Sequence, residues 1–270
     1  MSSFPFQAVA FDLDDTLLRD DLTISSRTIS VLREVSSRGA RIIPVSGRAQ
    51  LSMRPFVEKI ACASLYISCN GAEIWTPDHA LLSRESFSPE LGREIAAFGK
   101  GYRVYAQTYE GPHFYYNEES DWAIRYAASS MLTGVCVGDL ERFIQEPRQK
   151  ILMMAEEEKI ASMLRDARQQ FDGRVSVTCS KPWFLEFNPI GATKGLALAK
   201  AAALLDFEMR RTLAFGDSLN DLSMLQACGR GVLMANGRPD LRSRCDDVCG
   251  TNQEDGVGEY LEHILQEVKA

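Results

Sequence analysis

The chain has 270 residues, of which 45% are hydrophobic and 25% charged, with a formal net charge of -7 and a pI near 5.2. This composition is that of an ordinary globular protein, and the length allows one large domain or two average ones. Because there is no surplus of basic residues to neutralise backbone phosphates, a general nucleic-acid partner is excluded.

The N-terminus and the cysteines indicate where the protein works. The first six residues carry no basic segment, and no apolar run approaches the length of a membrane-spanning helix. We therefore expect neither a signal peptide nor a membrane anchor. The seven cysteines are an odd number and include no Cys-x-x-Cys pair. We expect free thiols, no zinc site and a cytoplasmic location.

The first predicted strand, Ala8–Phe11, leads directly into two carboxylates, Asp12 and Asp14. Four consecutive apolar residues are typical of a buried strand in a parallel sheet, and such sheets bind ligands beyond the carboxyl ends of their strands. Two carboxylates one residue apart repel each other unless a cation or a proton relieves them. Oxygen ligands of this kind suit Mg²⁺, so the pattern indicates metal-assisted phosphoryl chemistry. An acidic turn on the surface is the alternative.

Helices and strands alternate over the next part of the chain. A helix is predicted over 26–38, and strands over 41–45 and 65–69. This alternation predicts a parallel sheet with right-handed crossovers. The hydroxyl of Ser46 and the backbone N–H groups beside Gly47 suit a phosphate cradle, although an ordinary strand-to-helix turn fits them equally well. Asn70-Gly71, followed by a short strand over 72–75, predicts a β-hairpin.

From about residue 82 to 188 the pattern changes to an α+β module. Strands are predicted over 102–108, 112–117, 150–155, 174–179 and 183–188, and helices over 89–98, 119–132 and 156–170. We interpret this module as an insert in a domain formed by residues 1–81 and 189–270, with a continuous single sheet as the alternative. The aromatic side chains of Trp122, Tyr105 and Trp183 are expected to fill the insert rather than stack on a ligand. Lys181 and Glu186 are better candidates for facing one.

The alternating pattern resumes after the insert. A helix is predicted over 194–205, strands over 212–215 and 231–234, and a last helix near 257–268. Asp217 and Asp221 lie four residues apart after a strand, so both can face one pocket. Taken alone, the pair is better explained by an N-capping aspartate with a solvated partner. Lys194 opens a helix, where a cation opposes the helix dipole. This position makes a functional role more plausible than for a lysine elsewhere, although a solvated lysine is the default interpretation.

Several polar groups follow strand ends or helix starts that share one edge of a parallel sheet. They are Asp12, Asp14, Ser46, Lys194, Asp217, Asn220 and Asp221. This set, in this order, resembles the haloacid dehalogenase superfamily of phosphotransferases. More narrowly it resembles the Cof-type sugar-phosphatase branch, in which a large cap is inserted into an α/β doubly wound core.

The resemblance implies a role for each matching residue. Asp12 would be the nucleophile that forms an aspartyl-phosphate, and Asp14 the general acid/base, whose backbone carbonyl joins the metal shell. Catalysis is thus assigned to Asp12, Asp14 and Lys194. Phosphate binding is assigned to Thr16, Ser46, Gly47, Lys194 and Asn220, and Mg²⁺ to Asp12, Asp14, Asp217 and Asp221. Asp15 departs from the family pattern, because many relatives carry glycine there.

The implied activity is hydrolysis of phosphomonoesters of small metabolites, sugar phosphates first, with Mg²⁺ as cofactor. A phosphomutase or phosphotransferase on the same scaffold is the alternative, since it shares every core motif. A P-loop kinase is disfavoured because residues 191–195 have the wrong glycine spacing. A dinucleotide-binding oxidoreductase is disfavoured because residues 229–231 lack the third glycine and precede their strand.

Overall fold

The structure, a computed structural model, describes residues 4–111 and 113–268. Residue 112, with which the predicted strand 112–117 begins, lies outside the described residues. The strands are β1 (Ala8–Phe11), β2 (Arg41–Pro44), β3 (Tyr66–Ser68), β4 (Glu73–Trp75), β5 (Leu81–Arg84), β6 (Tyr105–Glu110), β7 (His113–Tyr116), β8 (Thr133–Cys136), β9 (Ile151–Met154), β10 (Val175–Thr178), β11 (Phe184–Pro189), β12 (Thr212–Gly216), β13 (Arg230–Met234) and β14 (Asp247–Cys249). The helices are α1 (Ser26–Ser37), α2 (Gln50–Ile60), α3 (Pro89–Tyr102), α4 (Asp121–Ser130), α5 (Leu140–Phe143), α6 (Glu157–Gln170), α7 (Lys194–Leu205), α8 (Leu222–Ala227) and α9 (Gly256–Glu267).

The central sheet is parallel and has the order β14-β13-β12-β1-β2. Successive side chains of a strand point to opposite faces, and β1 buries both of its faces. Val9 and Phe11 pack in the cluster that includes α1, α2 and α9, whereas Ala8 and Ala10 pack in the cluster that includes α7 and α8. Helices therefore cover both faces of the sheet, and the predicted α/β fold is confirmed.

A second, three-stranded sheet has the order β3-β4-β5. β3 and β4 pair antiparallel as expected for a hairpin, but the connection is a four-residue loop, 69–72, rather than a two-residue turn. Cys69, Asn70 and Gly71 have φ of 51°, 58° and 105°. A Cβ on Gly71 would lie 2.4 Å from the carbonyl oxygen of Thr193, so this position requires glycine. The loop thus lies against the start of α7.

The inserted part forms its own sheet, in the order β10-β11-β9-β6-β7-β8. Its strand pairs are antiparallel except for β7 and β8, which are parallel. α3 and α6 pack on one face of this sheet, and aromatic residues of β6, β7 and α4 cover the other. The predicted α+β cap is therefore confirmed, and its aromatic face is the one turned toward the core sheet.

The predicted and observed elements differ in a few places. α3 continues to Tyr102, which the sequence assigns to a strand, and it ends because Arg103 takes a left-handed φ of 52°. β5, β8, β14 and the short α5 are not predicted. β8 is an edge strand of four residues containing Gly134, on which a Cβ would lie 2.5 Å from the ring of Phe114. Such a strand forms because its residues fit against the side chains of the neighbouring strand, so the alternation of apolar and polar residues in its own sequence does not predict it.

Two further observations bear on the expectations from composition. Within residues 4–111 and 113–268, no helix combines the length and the apolar character needed to cross a bilayer. All seven cysteines are free thiols.

Candidate active site

The site is built at the carboxyl ends of β1 and β12. Asp12 directly follows β1, and its backbone N–H donates to the carbonyl of Phe215 in β12 at 3.1 Å. Asp217 directly follows β12. Because adjacent parallel strands end at the same edge, the two carboxylates come together although they are 205 positions apart in the sequence. Both side chains are almost fully buried.

Lys194, the first residue of α7, contacts one carboxylate that follows β1 and one that follows β12. Its side chain is fully buried, and its Nζ lies 2.6 Å from Oδ1 of Asp12 and 2.6 Å from Oδ1 of Asp221. Burial alone would lower the pKa of this lysine, but the two carboxylates outweigh it and raise the pKa above the ordinary value. Lys194 is therefore a fixed positive charge at the centre of the site.

The side chain of Asp221 is held by hydrogen bonds from the loop that precedes it. Its Oδ2 accepts hydrogen bonds from the backbone N–H groups of Asp217 and Ser218, each at 3.0 Å. Thr16 donates its hydroxyl to Oδ1 of Asp217 at 3.1 Å. A Cβ on Gly216 would lie 2.5 Å from the Cβ of Asp221, so the close approach requires glycine.

Three of the four predicted metal ligands form one cluster. Asp12, Asp217 and Asp221 each offer a carboxylate oxygen within 4.8 Å of the others. Burial, with Asp221 and Asp14 nearby, raises the pKa of Asp12 to about 8 despite the attraction of Lys194. Burial, with Asp221, Asp12 and Asp15 nearby, raises the pKa of Asp217 well above its usual range. Three carboxylates and one lysine leave an excess of negative charge, which a divalent cation would neutralise.

The carboxylate of Asp14 lies outside this three-carboxylate cluster. It forms a two-pronged ion pair with Arg48, with Nη2 to Oδ1 at 2.7 Å and Nε to Oδ2 at 2.8 Å. Burial favours protonation of Asp14, but Arg48, with smaller contributions from Lys181 and Lys194, holds its pKa below the ordinary value. Asp14 is thus a charged ion-pair partner in this conformation, and its side chain is not in the three-carboxylate cluster.

Arg48 also makes contacts with residues other than Asp14, one of them in the cap. Its Nη1 donates to the hydroxyl of Ser52 at 2.8 Å and to the carbonyl of Ser129, at the end of α4 in the cap, at 2.9 Å. The guanidinium also lies 5.2 Å from the centre of the Phe56 ring. Arg48 thus connects Asp14 directly to the cap.

The predicted phosphate-binding residues lie around the end of β2. Ser46 is buried, and its hydroxyl accepts a hydrogen bond from the backbone N–H of Arg48 at 3.2 Å. Asn220 donates from Nδ2 to Oδ1 of Asn70 at 3.0 Å, and Asn70 donates to Asn188 at 3.1 Å. This chain of asparagines connects the loop after β12 to the hairpin loop and to β11. Sequence analysis treats Asn70 as a turn residue only, because its side-chain role depends on residues more than a hundred positions away.

A cavity of about 620 Å³ separates the core from the cap. The core side includes Asp12, Asp14, Gly47, Arg48 and Asp217. The cap side includes Trp122, Tyr126, Lys150, Leu152, Met154, Trp183, Phe184 and Glu186. Trp122 and Trp183 therefore face the cavity, contrary to the expectation that they fill the cap, whereas Tyr105 is buried in the cap as expected.

Lys181 makes a direct ion pair across the cavity. Its Nζ lies 3.1 Å from Oδ2 of Asp15, and both side chains are partly exposed. Asp15 has a φ of 58°, a conformation that glycine adopts readily; aspartate is among the other residues that tolerate it. The departure from the family pattern thus leaves the turn intact and adds a contact between core and cap.

Comparison with known proteins assigns the chain to a family. The sequence model of the haloacid dehalogenase-like hydrolases matches residues 9–261. The chain belongs to this family. The matched segment contains every predicted catalytic, phosphate-binding and metal-binding residue, and it includes the cap.

Individual relatives of this haloacid dehalogenase-like hydrolase are phosphatases by name. A 5-amino-6-(5-phospho-D-ribitylamino)uracil phosphatase of Bacillus subtilis is 28% identical over 94% of each chain. An HMP-PP phosphatase of Cronobacter sakazakii is 28% identical over 95% of this chain and 94% of its own. A solved haloacid dehalogenase-like hydrolase from Bacteroides thetaiotaomicron has a TM-score of 0.83 and 26% identity, over 96% of this chain and 99% of that chain. The expected enzyme class, a phosphomonoesterase, is confirmed.

Proposed function

We propose that this haloacid dehalogenase-like phosphatase hydrolyses phosphomonoesters of small metabolites, sugar phosphates among them, with Mg²⁺ as cofactor and Asp12 as nucleophile. The observation that carries the proposal is the pair of 2.6 Å contacts from Lys194 to Asp12 and Asp221, beside Asp217 and at the floor of the cavity. A carboxylate held in place by a buried lysine is suited to attack phosphorus.

The acidic cluster fits a Mg²⁺ ion. Lys194 binds one oxygen of Asp12, and Thr16 binds one oxygen of Asp217. The other oxygen of each carboxylate accepts no hydrogen bond from any residue in the described ranges, so Asp12 and Asp217 would hold the ion. Asp221, whose oxygens bind Lys194 and backbone N–H groups, would position them. From Asp14 we propose the backbone carbonyl as ligand. When bound, Mg²⁺ supplies positive charge to the phosphoryl oxygens.

The residues around the end of β2 would orient the phosphoryl group. We propose that Ser46, the backbone N–H of Gly47, Lys194 and Asn220 bind its oxygens, which matches the need of phosphoryl transfer for positioning and charge stabilisation. The hydroxyl of Thr16 donates to Asp217, so its contribution to phosphate binding would pass through that carboxylate.

Asp14 would act as the general acid and base. In the first step it would give a proton to the oxygen of the leaving alcohol while Asp12 attacks, and in the second it would take a proton from the water that hydrolyses the aspartyl-phosphate. Since Arg48 binds both oxygens of Asp14, the side chain has to leave Arg48 and take up a proton before it can donate one. Substrate entry beneath the cap is a natural occasion for this exchange, because Arg48 also binds Ser129 of the cap.

Two variants separate these roles. Asp12→Asn removes the nucleophile, so activity should vanish for every leaving group. Asp14→Asn removes proton transfer, which accounts for roughly 10²–10⁴-fold in rate. A sugar alcohol needs that proton when it leaves, whereas an aryl phosphate expels a stable phenolate without it. Asp14→Asn should therefore cripple hydrolysis of sugar phosphates and give a burst of phenolate from an aryl phosphate, with phosphorylated enzyme trapped by acid quench. Equal loss of the first step for both esters would contradict the role of Asp14.

We also propose the division of the chain into a core, residues 1–81 and 189–270, and a cap, residues 82–188. The six strands of the cap sheet all lie between residues 105 and 189, which supports the division. The first junction falls inside β5, which pairs with β4, so the crossing into the cap follows this strand. A cytoplasmic location is supported by the free thiols, which are typical of a reducing compartment.

A further inference from the structure

In a buried ion pair of the cap, only one of the two carboxylate oxygens has a hydrogen-bond partner. Glu186 in β11 and Lys150, next to β9, are 1% and 3% exposed. Nζ of Lys150 binds Oε1 of Glu186 and donates to the carbonyl of Gly47 at 2.8 Å. Oε2 of Glu186 is buried and has no hydrogen-bond partner within the described part of the chain. Glu186 and Lys150 both line the cavity between core and cap.

An unsatisfied carboxylate oxygen in a protein interior is costly, so its presence calls for a partner. Four other buried side-chain atoms in the described ranges share this condition, but none of their residues lines the cavity. Because Lys150 already balances the charge of Glu186, a second cation is not required. A neutral donor, such as a hydroxyl group of a bound molecule, would satisfy the oxygen.

The position of Glu186 shows which part of a substrate would meet it. A Cβ on Gly47 would lie 3.4 Å from Oε1 of Glu186 and 2.9 Å from Oδ1 of Asn70. Asn70 in turn accepts a hydrogen bond from Asn220, a proposed phosphate ligand, at 3.0 Å. Glu186 therefore lies close to Gly47 and to the end of the cavity proposed to bind the phosphoryl group.

The cap wall becomes apolar beyond Glu186. Leu152 lies opposite Glu186 in the sheet, and Met154 lies opposite Phe184, two residues before Glu186 on the same face of β11. All of these side chains line the cavity, together with Trp183. Along this stretch of the wall, Glu186 thus offers a hydrogen-bond acceptor beside Gly47, and its neighbours offer apolar surface.

We propose that Glu186 sets the specificity for the leaving group: its Oε2 accepts a hydrogen bond from a hydroxyl on a carbon close to the phosphate ester. The preferred substrates are therefore phosphate esters that carry a hydroxyl group at such a carbon. This inference rests on the proposed function, because it assumes that the phosphoryl group binds beside Gly47. An ester that lacks the hydroxyl leaves Oε2 without a partner, and sites of this kind reject such analogues strongly.

The test compares glycerol 1-phosphate with n-propyl phosphate, which has the same three carbons and no hydroxyl group. The measured quantity is the ratio of the two kcat/KM values, with Mg²⁺ present, in the wild type and in Glu186→Gln. Comparing ratios between enzymes cancels the different intrinsic reactivity of the two alcohols. A hydrogen bond to a charged acceptor corresponds to roughly 10- to 100-fold. We expect the wild-type ratio to exceed that of Glu186→Gln by at least about tenfold, since the amide replaces a charged acceptor.

Two further variants make the test independent of folding and of charge. Glu157→Gln removes a negative charge from an exposed residue of the same cavity and should keep the wild-type ratio. The double variant Lys150→Met/Glu186→Leu replaces the buried pair by apolar side chains, a change that buried ion pairs often tolerate, and should abolish the preference even if the single variant fails to fold.

The possible outcomes separate the inference from the proposed function. Equal ratios in the wild type and both Glu186 variants would overturn the inference and indicate that the oxygen is merely hydrated. Hydrolysis of p-nitrophenyl phosphate without hydrolysis of either alkyl ester would overturn it as well. Failure to hydrolyse any of the three esters with Mg²⁺ would instead contradict the proposed function.

Discussion

Replacement of Gly47 by alanine tests how closely the proposed phosphate-binding turn is packed. The new Cβ would lie 2.9 Å from Oδ1 of Asn70, a distance that forces a displacement, and 3.4 Å from Oε1 of Glu186. The side chain of Asn70 is not free to move away, because its Oδ1 accepts from Asn220 at 3.0 Å and its Nδ2 donates to Asn188 at 3.1 Å. The substitution therefore has to break part of the asparagine chain or shift the turn itself.

The magnitude follows from these contacts. Losing one hydrogen bond between neutral groups costs about 0.5–1.5 kcal/mol, and overpacking a well-filled site costs about 1–3 kcal/mol. We expect Gly47→Ala to lower the free energy of unfolding by about 1–4 kcal/mol. Because Asn220 and the turn are proposed to orient the phosphoryl group, kcat/KM should fall by about 10²-fold, the effect of a displacement of about 1 Å in a positioned site.

The assays are guanidinium denaturation followed by circular dichroism, and phosphatase kinetics with Mg²⁺. Gly101→Ala is the matched control, since Gly101 lies in α3 and its would-be Cβ meets no described atom within 4 Å apart from its chain neighbours and the helix's own backbone; alanine there should be neutral or slightly stabilising. Adding Asn70→Ala to Gly47→Ala removes the clashing atom, so the two stability losses should be less than additive. Full activity and stability of Gly47→Ala, or simple additivity in the double variant, would refute the packing argument.

Three more predictions follow from the site and the cap. A chelator should abolish phosphatase activity and Mg²⁺ should restore it, with Ca²⁺ a poor substitute because of its looser geometry; undiminished turnover in excess chelator would exclude the metal. Lys194→Met should lower the free energy of unfolding by about 3–5 kcal/mol, because it leaves Asp12 and Asp221 buried without their cation. Lys200→Met, which removes an exposed ion pair, is the control and should change the free energy of unfolding by less than about 1 kcal/mol. Similar denaturation midpoints for the two variants would argue against the buried contact. Removing residues 86–188 should leave a foldable core that hydrolyses p-nitrophenyl phosphate far better than sugar phosphates; a core that never folds would contradict the division into two domains.

The sequence is most informative where one local signal determines one structural feature. Asp12 and Asp217 could be placed together because apolar strands precede them and parallel strands share an edge. The helix that begins at Lys194 is likewise predicted by its own composition, and it starts at that residue. For these groups the pattern along the chain is sufficient, since the fold class alone determines where strand ends lie.

Other parts of the site depend on side chains that meet only after the cap has folded. Arg48 reaches Ser129, 81 positions away, and Lys150 reaches Gly47, 103 positions away. Periodicity reports which face of an element is buried, but not which residue of a distant element it meets. For the same reason the aromatic residues of the cap could not be divided between its core and the cavity, where Trp122 and Trp183 lie.

The order of strands also determines when the enzyme can assemble during synthesis. The cap sheet is complete once residue 189 has left the ribosome, because all six of its strands lie between residues 105 and 189. β1, made first, pairs with β12, and Asp12 meets Lys194 across 182 positions of sequence. One edge of β1, which precedes the proposed nucleophile, therefore stays open until the last quarter of the chain emerges, and such edges are prone to pairing with other chains. Nascent-chain stalling before residue 212 should consequently yield a folded cap attached to an aggregation-prone N-terminal segment.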